Sequence, residues 1–254
     1  MSIKTATLNG VTTIEIARPE KKNAITGDMY RAMAQALRDA NAEPTVRAVL
    51  ITGQPGIFTS GNDLEDFMQR KPSSDGGPAF EFMRALVGCE KPVVAAVTGA
   101  AIGIGTTMLL HCDLVYVSDE ARLAMPFVSL GLVPEFASSL LFPQLVGHVK
   151  AAEKLLLGEP FTAEEAVELR LANAVIAASE VVNHARRIAE RFNALPPGAV
   201  RDSKKLLRRA GGTHILEQIT IEGGIFGERL QSPEAKEAFS AFFQKRKPDF
   251  SQFS

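Results

Sequence analysis

The sequence predicts an α/β protein in which a core of largely parallel strands precedes a helical C-terminal extension. Short β-branched, apolar runs alternate with segments of helical periodicity up to about residue 146, and from about residue 147 the periodic segments are helical. Strands that alternate with helices need crossover connections, which favour parallel pairing. With 254 residues, 46% of them apolar, the chain can form one large domain or two small ones.

The first half begins with a hairpin and a capped helix. Residues 6–17 form two alternating strands around Asn9-Gly10, a dipeptide typical of two-residue hairpin turns. Thr26 then caps an amphipathic helix that runs to about residue 41. Buried strands are expected at residues 46–52, 93–97 and 114–117, the first two of which lead through glycine-rich turns into helical segments.

The second half is predicted to contain a series of helices. They cover residues 149–157, 162–169, 180–193, 198–210 and 215–230, and a last one begins at Ser232. Thr162 and Glu165 stand in capping-box register at the start of the second helix. The apolar side chains of the fifth exceed what one helical layer buries, so self-association is expected. These side chains are Ile215, Leu216, Ile219, Ile225 and Phe226.

Composition excludes several functional classes. The 28 basic and 29 acidic residues nearly balance, whereas broad nucleic-acid binding depends on a dense basic surface. Cys89 and Cys112 are the only cysteines, which argues against a disulfide framework or a structural zinc site. The sequence shows no secretory signal pattern and no apolar run of membrane-spanning length. We therefore expect a cytoplasmic protein with neither nucleic-acid nor membrane partners.

Glu135 is the strongest candidate for a catalytic base. It is a lone carboxylate in the apolar run Pro134-Glu135-Phe136, and desolvation there would raise its pKa towards neutrality. The alternative is a solvent-exposed loop carboxylate, which is the usual state of a glutamate in such a position.

Two glycine-rich turns offer backbone amides to an anionic oxygen. Ser60-Gly61-Asn62-Asp63-Leu64 and the segment ending in Gly103-Ile104-Gly105 each follow an apolar run and open a helix, whose first N–H groups lack intrahelical partners. In the alternative interpretation, Asn62 and Asp63 form a helix N-cap pair. A dinucleotide fingerprint is disfavoured because the glycines from residue 99 follow G-x-x-x-G-x-G spacing.

Together these segments resemble the crotonase (enoyl-CoA hydratase/isomerase) superfamily. The resemblance begins at Arg18-Pro19 and continues through residues 46–64, 91–147, 158–166 and 239–250. The strings at residues 60–64, 126–127 and 134–139 are most similar to Δ3-Δ2-enoyl-CoA isomerases of the peroxisomal type and their bacterial relatives. The resemblance implies a spiral of repeated ββα units with an acyl-CoA site in residues 1–195, followed by a helical trimerisation region in residues 196–254.

The resemblance also implies an activity. Glu135 would be the catalytic carboxylate, and the amides of Asn62 and Ile104 would bind the thioester oxygen. The two glutamates of the hydratases match Thr107 and Phe127 here, which argues against hydration. The resulting hypothesis is an isomerase that shifts a 3-enoyl-CoA double bond to the 2-trans position. A weak hydratase, an isomerase of ring-derived CoA thioesters and a non-catalytic acyl-CoA-binding protein remain alternatives.

The substrate implied by the resemblance is an acyl-CoA thioester, with no metal and no cofactor beyond the CoA of the substrate. Lys21 or Lys22 would contact a CoA phosphate. Phe242 and Lys245 would close the CoA site of a neighbouring subunit, and the alternative is that they only form a basic helix end. A homotrimer or dimer of trimers is expected. Residues 72–78 would partly set the depth of the acyl pocket. The substrate-binding residues are Lys22, Ala24, Ser60, Gly61, Asp63, Leu64, Gly103, Phe127, Phe242 and Lys245.

Overall fold

The structure, a computed structural model, describes residues 2–69, 76–209 and 212–253. In these ranges the strands are β1 (Ile3–Leu8), β2 (Val11–Ile16), β3 (Ala48–Thr52), β4 (Gly56–Thr59), β5 (Val93–Val97), β6 (Gly99–Ile102), β7 (Leu114–Ser118), β8 (Arg122–Ala124), β9 (Phe161–Thr162) and β10 (Ala174–Ile176).

The helices of the same ranges are α1 (Gly27–Ala42), α2 (Leu64–Gln69), α3 (Gly77–Val87), α4 (Ile104–Thr107), α5 (Ser138–Val146), α6 (His148–Leu156), α7 (Ala163–Glu168), α8 (Val181–Glu190), α9 (Pro197–Arg208), α10 (Gly212–Leu230) and α11 (Pro233–Phe243). Short 3-10 segments span Pro19–Lys21, Met108–His111, Val128–Leu130 and Arg191–Ala194. No helix of the described chain has both the length and the apolar character needed to cross a bilayer.

Two sheets are built by strand pairs that repeat along the chain. The larger sheet has the order β1-β2-β3-β5-β7-β10 and the smaller sheet β4-β6-β8-β9. Each of the pairs β3–β4, β5–β6 and β7–β8 places its first strand in the larger sheet and its second in the smaller one. Neighbouring pairs align in parallel in both sheets. This is the spiral of ββα units expected for the crotonase fold.

The central strands β3 and β5 of the larger sheet are buried on both faces. Successive side chains of a strand point in opposite directions, so each of these strands contributes to two apolar layers. Val49 and Ile51 of β3 belong to the main core, which also includes side chains of α1 and α3. Ala48 and Leu50 point the other way and pack in a second apolar cluster with Val181 and other residues of α8.

Local sequence signals predicted several elements correctly. The hairpin turn has positive φ at both Asn9 (49°) and Gly10 (69°), as a two-residue turn of this type requires. The Thr26 side chain accepts a hydrogen bond from the Met29 amide at the start of α1. Thr162 and Glu165 form the expected reciprocal capping box on α7.

Other elements were not anticipated. Residues 99–102 were interpreted as a glycine-rich turn but form β6, where a Cβ on Gly99 would lie 2.1 Å from the Gly56 backbone, so the glycine permits close strand pairing. Strand β8 was not predicted because it is only three residues long. Helix α5 was not predicted because it contains Pro143, a residue that normally marks a helix boundary. Of the loop expected at residues 72–78, residues 72–75 lie outside the described residues.

Helix α9 is attached to the core by a charge cluster in which Lys204 is buried and Asp113 and Arg208 are partly buried. Lys204 Nζ lies 2.7 Å from Asp113 Oδ2, and Arg208 Nη2 lies 3.0 Å from Asp113 Oδ1. The same carboxylate accepts a hydrogen bond of 2.7 Å from the Val93 amide. Because Lys204 is buried, it depends on this carboxylate to compensate its charge.

We predict that Asp113→Ala destabilises the fold by about 3 kcal/mol, because it leaves the buried Lys204 and the partly buried Arg208 without a counter-charge. Urea unfolding at fixed protein concentration measures the change. Asp202→Ala, at an exposed position of α9, is the control and should change the free energy of unfolding by less than about 0.5 kcal/mol. A loss for Asp113→Ala below about 1 kcal/mol, typical of a surface ion pair, would contradict the prediction.

Candidate active site

The two glycine-rich turns lie against each other because β4 and β6 pair in parallel, with Thr59 opposite Ala101. Both strands therefore end at the same edge of the smaller sheet. Gly61 has a φ of 92°, and a Cβ built on it would lie 2.9 Å from the Ile102 carbonyl oxygen. The contact between the turns thus depends on a residue without a side chain.

Each turn leaves one amide without a protein acceptor among the described residues. On either side of Asn62, the Gly61 carbonyl accepts from the Ile25 amide (2.8 Å) and the Asp63 amide donates to the Ile25 carbonyl (3.0 Å). Ile104 is the first residue of α4, so its amide has no carbonyl one turn earlier in the helix to bond. The amides of Asn62 and Ile104 are therefore available to a ligand.

The N-terminal segment at residues 18–25 supports the first turn. The Ser60 amide donates to the Lys22 carbonyl (3.1 Å), and Arg18 Nη1 donates to Asp63 Oδ2 (2.6 Å) and to the Ala24 carbonyl (3.0 Å). The buried Asn23 side chain accepts a hydrogen bond from the Arg18 amide and donates to two carbonyls of β4. Predicted substrate-binding positions from two parts of the chain thus come together here.

Asp63 acts as the N-cap of α2, as the alternative interpretation of this turn proposed. Its Oδ1 accepts a hydrogen bond of 3.1 Å from the Asp66 amide. Burial alone would raise the Asp63 pKa, but the hydrogen bonds from Arg18 and Asp66 hold the pKa below its usual value. Asp63 is therefore an ionised residue that fixes the turn.

Glu135 is buried, so its interpretation as a solvent-exposed loop residue is wrong. Its side chain is 7% exposed, and its Oε1 accepts a hydrogen bond of 3.1 Å from the Thr107 hydroxyl. Burial raises its pKa from an ordinary 4.5 to about 8, with Thr107 opposing the shift and the negative charge of Glu222 adding to it. A carboxyl with this pKa can take up and return a proton near neutral pH.

Helix α4 connects the base to the second turn. Its first residue, Ile104, carries one of the two available amides, and Thr107, one turn later, donates to Glu135. A single short helix thus sets the distance between an amide donor and the candidate base.

The residue after Glu135 is held by stacking and by a hydrogen bond. The ring of His111 stacks on Phe136 with centroids 3.9 Å apart, and its Nε2 lies 2.7 Å from the Phe136 carbonyl oxygen. Burial lowers the His111 pKa to about 4, so the ring is neutral and Nε2 donates to that carbonyl. His111 therefore has a structural role next to the candidate base.

A row of aromatic rings joins the first turn to the Glu135 loop. The Tyr30 hydroxyl donates to Asn62 Oδ1 (2.7 Å), and the Tyr30 and Phe82 rings lie 5.7 Å apart. Phe82 in turn meets the Phe136 ring at 6.1 Å in an edge-to-face arrangement. The contact network therefore connects Asn62 and Glu135, although they are far apart in sequence.

Phe127 forms an apolar wall beside the second turn. It is buried, and a Cβ placed on Gly103 would lie 3.8 Å from its ring. Position 107 therefore carries a hydroxyl that contacts Glu135, and position 127 carries an apolar ring.

Other predicted residues lie further out. The Lys22 side chain is exposed, and Leu64 packs on the core next to the first turn. Phe242 lies in the last turn of α11, and Lys245 lies just after this helix. Within the described part of the chain, neither residue has a hydrogen bond or a ring contact with the two turns or with Glu135. Their predicted role in a neighbouring subunit remains a prediction.

Glu135 is the one carboxylate of its apolar run, but the charge of a second buried carboxylate, Glu222, acts on it, and Glu222 was not among the predicted site residues. This glutamate of α10 is buried and accepts hydrogen bonds from the amides of Ala137 (2.6 Å) and Ser139 (3.0 Å). A signal was present, since Glu222 follows the buried Ile219 at a helical spacing of three residues. A glutamate on the apolar face of an amphipathic helix indicates a buried carboxylate.

We predict that Glu135→Gln stabilises the fold as the pH rises. With a pKa of 4.5 unfolded and about 8 folded, the parent loses stability as pH rises from 4.5 to 8, because the folded chain binds the extra proton in that window. At pH 9 the variant should be more stable by at least about 1.4 kcal/mol, the value of one pKa unit. Urea unfolding from pH 5 to 9, with exposed Glu228→Gln as control, tests this, and a pH-independent difference would contradict it.

Comparisons with known proteins agree with this geometry. A family model described as "Enoyl-CoA hydratase/isomerase" matches residues 6–253. Enoyl-CoA delta isomerase 2 of Rattus norvegicus is 39% identical over 206 residues, which cover 79% of this chain and 52% of that protein. The Homo sapiens protein of the same name is 34% identical over 245 residues, covering 94% and 62%. The chain thus spans about half to three fifths of the length of these two relatives.

A solved structure covers the whole fold. The crystal structure of an enoyl-CoA hydratase/isomerase from Pseudoalteromonas atlantica T6c superposes with a TM-score of 0.94 at 42% identity, covering 99% of this chain and 100% of that one. The family match over nearly the whole length, together with this structural agreement, shows that the chain belongs to the enoyl-CoA hydratase/isomerase, or crotonase, family.

Proposed function

We propose that this protein is an acyl-CoA isomerase that moves the double bond of a 3-enoyl-CoA to the 2-trans position. The observation that carries the proposal is a buried carboxyl, Glu135, whose pKa is raised to about 8 and which shares a site with two available backbone amides. The similarity to proteins named enoyl-CoA delta isomerase supports it.

In the proposed mechanism, one carboxyl moves one proton. Glu135 removes a proton from C2, the electrons of that C–H bond delocalise onto the thioester oxygen, and the amides of Asn62 and Ile104 stabilise the enolate. The enolate then collapses with the new double bond between C2 and C3 while Glu135 returns the proton to C4. Because no electrons are gained or lost overall, the reaction needs no redox cofactor; the two amides take the enolate-stabilising role in this proposal, which therefore includes no metal, and CoA is part of the substrate.

Hydration is the main competing activity, since a relative from Clostridium acetobutylicum is named short-chain-enoyl-CoA hydratase at 32% identity, covering 93% of this chain and 92% of that protein. By the family resemblance, hydration uses carboxylates at positions 107 and 127, where this chain has threonine and phenylalanine. Thr107 is already engaged with Glu135, and the Phe127 ring leaves an apolar wall that disfavours an activated water.

A ring-derived CoA thioester is the second candidate substrate. A relative from Escherichia coli named 1,2-epoxyphenylacetyl-CoA isomerase is 30% identical over 248 residues and covers 95% of both chains. The proposed site, with one base and two amides, suits any thioester whose C2 proton must move. Ring and linear substrates are distinguished by assay with each.

For CoA itself, we propose contacts along the segment that supports the first turn. The exposed Lys22 would meet a CoA phosphate, and Ala24, Ser60, Gly61, Asp63 and Leu64 would line the adjacent path, with Gly103 and Phe127 at the acyl end. Phe242 and Lys245 would close the site from a neighbouring subunit.

The chain is also proposed to form a homotrimer or a dimer of trimers. The described surface carries apolar side chains that its own chain leaves uncovered, among them Leu207 of α9 (86% exposed) and Val149 of α6 (80%). On α10, Ile215 and Ile219 are buried within the chain, whereas Leu216 and Ile225 remain exposed. Covering such surfaces is the usual reason for obligate association.

We predict that Glu135→Gln lowers the isomerisation rate at least about 100-fold, as loss of a general base does, while affinity for a saturated acyl-CoA changes little. The increase in absorbance as a 3-enoyl-CoA becomes a conjugated 2-enoyl thioester measures the rate, and calorimetry measures binding. Exposed Glu228→Gln should behave as the parent.

Three results would oppose this proposal. An unchanged rate in Glu135→Gln would place the base elsewhere. Loss of the conjugated absorbance when parent enzyme receives 2-enoyl-CoA, with no conversion of 3-enoyl-CoA, would favour hydration. Tight acyl-CoA binding with neither reaction would favour a non-catalytic binding protein.

We predict that light scattering at micromolar concentration gives three or six times the chain mass of 27.3 kDa. Burial of exposed leucines such as Leu207 drives this association. A fully active monomer would be inconsistent with the proposed assembly.

A further inference from the structure

Helix α10 contributes a second buried carboxylate next to the candidate base. Glu222 is 4% exposed, and its Oε2 accepts a hydrogen bond from the Ala137 amide at 2.6 Å. Its Oε1 accepts from the Ser139 amide at 3.0 Å and from the Ser139 hydroxyl at 2.5 Å. Both oxygens of Glu222 are therefore engaged by the loop that follows Glu135.

This loop needs such support because its backbone is in an unfavourable conformation. Phe136 and Ala137 have φ values of 59° and 56°, in the left-handed region that residues with a Cβ rarely occupy. Conformations of this kind persist only where the surroundings hold them. Glu222 accepts a hydrogen bond from the second of the two residues and also from the Ser139 amide in the first turn of α5, which has no partner within the helix and where a negative charge is favourable.

The C-terminal helices hold the other end of the same loop. Arg229 Nε of α10 donates to the Gly131 carbonyl at 3.2 Å, and a Cβ on Gly131 would lie 2.7 Å from the Ala235 amide of α11. Residues 131–139, defined here as the base loop, are thus fixed at both ends by helices from the last part of the chain.

We propose that Glu222 is a positioning residue of the reaction, whose carboxylate holds the left-handed turn at Phe136 and Ala137 and thereby directs the Glu135 carboxyl towards the substrate. The inference rests on the proposed function, in which Glu135 is the proton carrier. A displacement of about 1 Å in a reacting group can lower a rate about 100-fold without changing the chemistry.

The role can be separated from simple fold stabilisation by the titration of Glu135. Two described groups influence that titration besides burial: the Thr107 hydroxyl of α4, which lowers the Glu135 pKa, and the Glu222 carboxylate of α10, which raises it. His111, which contacts the neighbouring Phe136, is neutral and adds no charge. The negative charge of Glu222 raises the Glu135 pKa, so its removal should move the acid limb of the pH–rate profile to lower pH.

The experiment compares Glu222→Gln, Glu222→Asp and the exposed control Glu228→Gln. Glutamine lacks the charge and offers only one oxygen, so kcat for a 3-enoyl-CoA should fall about 10- to 100-fold, with KM within about threefold of the parent and the acid limb at lower pH. Aspartate keeps the charge but is one methylene shorter, so kcat should fall less and the acid limb should stay. The control should match the parent.

Deuterium incorporation at C2 of the 3-enoyl-CoA in D2O separates the two proposals. A parent that neither isomerises nor exchanges this proton overturns the proposed function and the role of Glu222 with it. If the parent both isomerises and exchanges, and Glu222→Gln has the same kcat and the same acid limb as the parent, only the positioning role is overturned.

If Glu222→Gln fails to fold, Ser139→Ala provides a milder test. It removes the hydroxyl that donates to Glu222 and leaves the amides of Ala137 and Ser139 in place. We expect a fall in kcat of about threefold to tenfold with unchanged acyl-CoA affinity. If Glu222→Gln does not fold and Ser139→Ala matches the parent in kcat and pH profile, the positioning role is overturned.

Discussion

The parallel pairing of β4 with β6 is the constraint on which the candidate site depends. It ends both strands at one edge of the smaller sheet and brings the two turns into contact. The contact tolerates no side chain at Gly105, where a Cβ would lie 2.6 Å from Thr59 Cγ2. The available donors are backbone amides, so the side chains of Asn62 and Ile104 are free to serve packing. A bulky, fully buried isoleucine is therefore compatible with the proposed binding of an oxyanion at this turn.

Two buried glutamates near this edge differ in how their charge is compensated. Glu222 receives two amides and a hydroxyl, so its carboxylate is well satisfied. Burial raises the pKa of both glutamates, but Glu135 has only one hydroxyl, from Thr107, to oppose the shift of its pKa to about 8. A poorly solvated carboxylate costs stability, so Glu135 is the less favourable of the two charges. In the proposed function this cost maintains a reactive base, and in the proposed positioning role the better-satisfied glutamate holds that base in place.

Local features of the fold were predictable from short residue patterns, whereas the ββα spiral was expected only from the family resemblance. Interactions within a few residues determine the hairpin turn at Asn9-Gly10, the helix cap at Thr26 and the capping box of Thr162 and Glu165. The ββα repeat produces no fixed period in the sequence, because its first strands begin at residues 48, 93 and 114, at unequal intervals. The contact between Glu222 and Ala137 joins residues 85 positions apart, and only the position of the glutamate on an apolar helix face indicated its burial.

The C-terminal helices reach the candidate base by two routes, so they belong to the site as well as to the surface. On α9, Arg208 Nη2 donates to the His111 carbonyl (2.5 Å), and the His111 ring holds the Phe136 carbonyl. On α10, Glu222 holds the next residue. The same α9 exposes Leu206 and Leu207 on its outer side. Packing these leucines against another subunit in the proposed trimer would immobilise α9, and through Arg208 and His111 it would also restrict the backbone that carries Glu135.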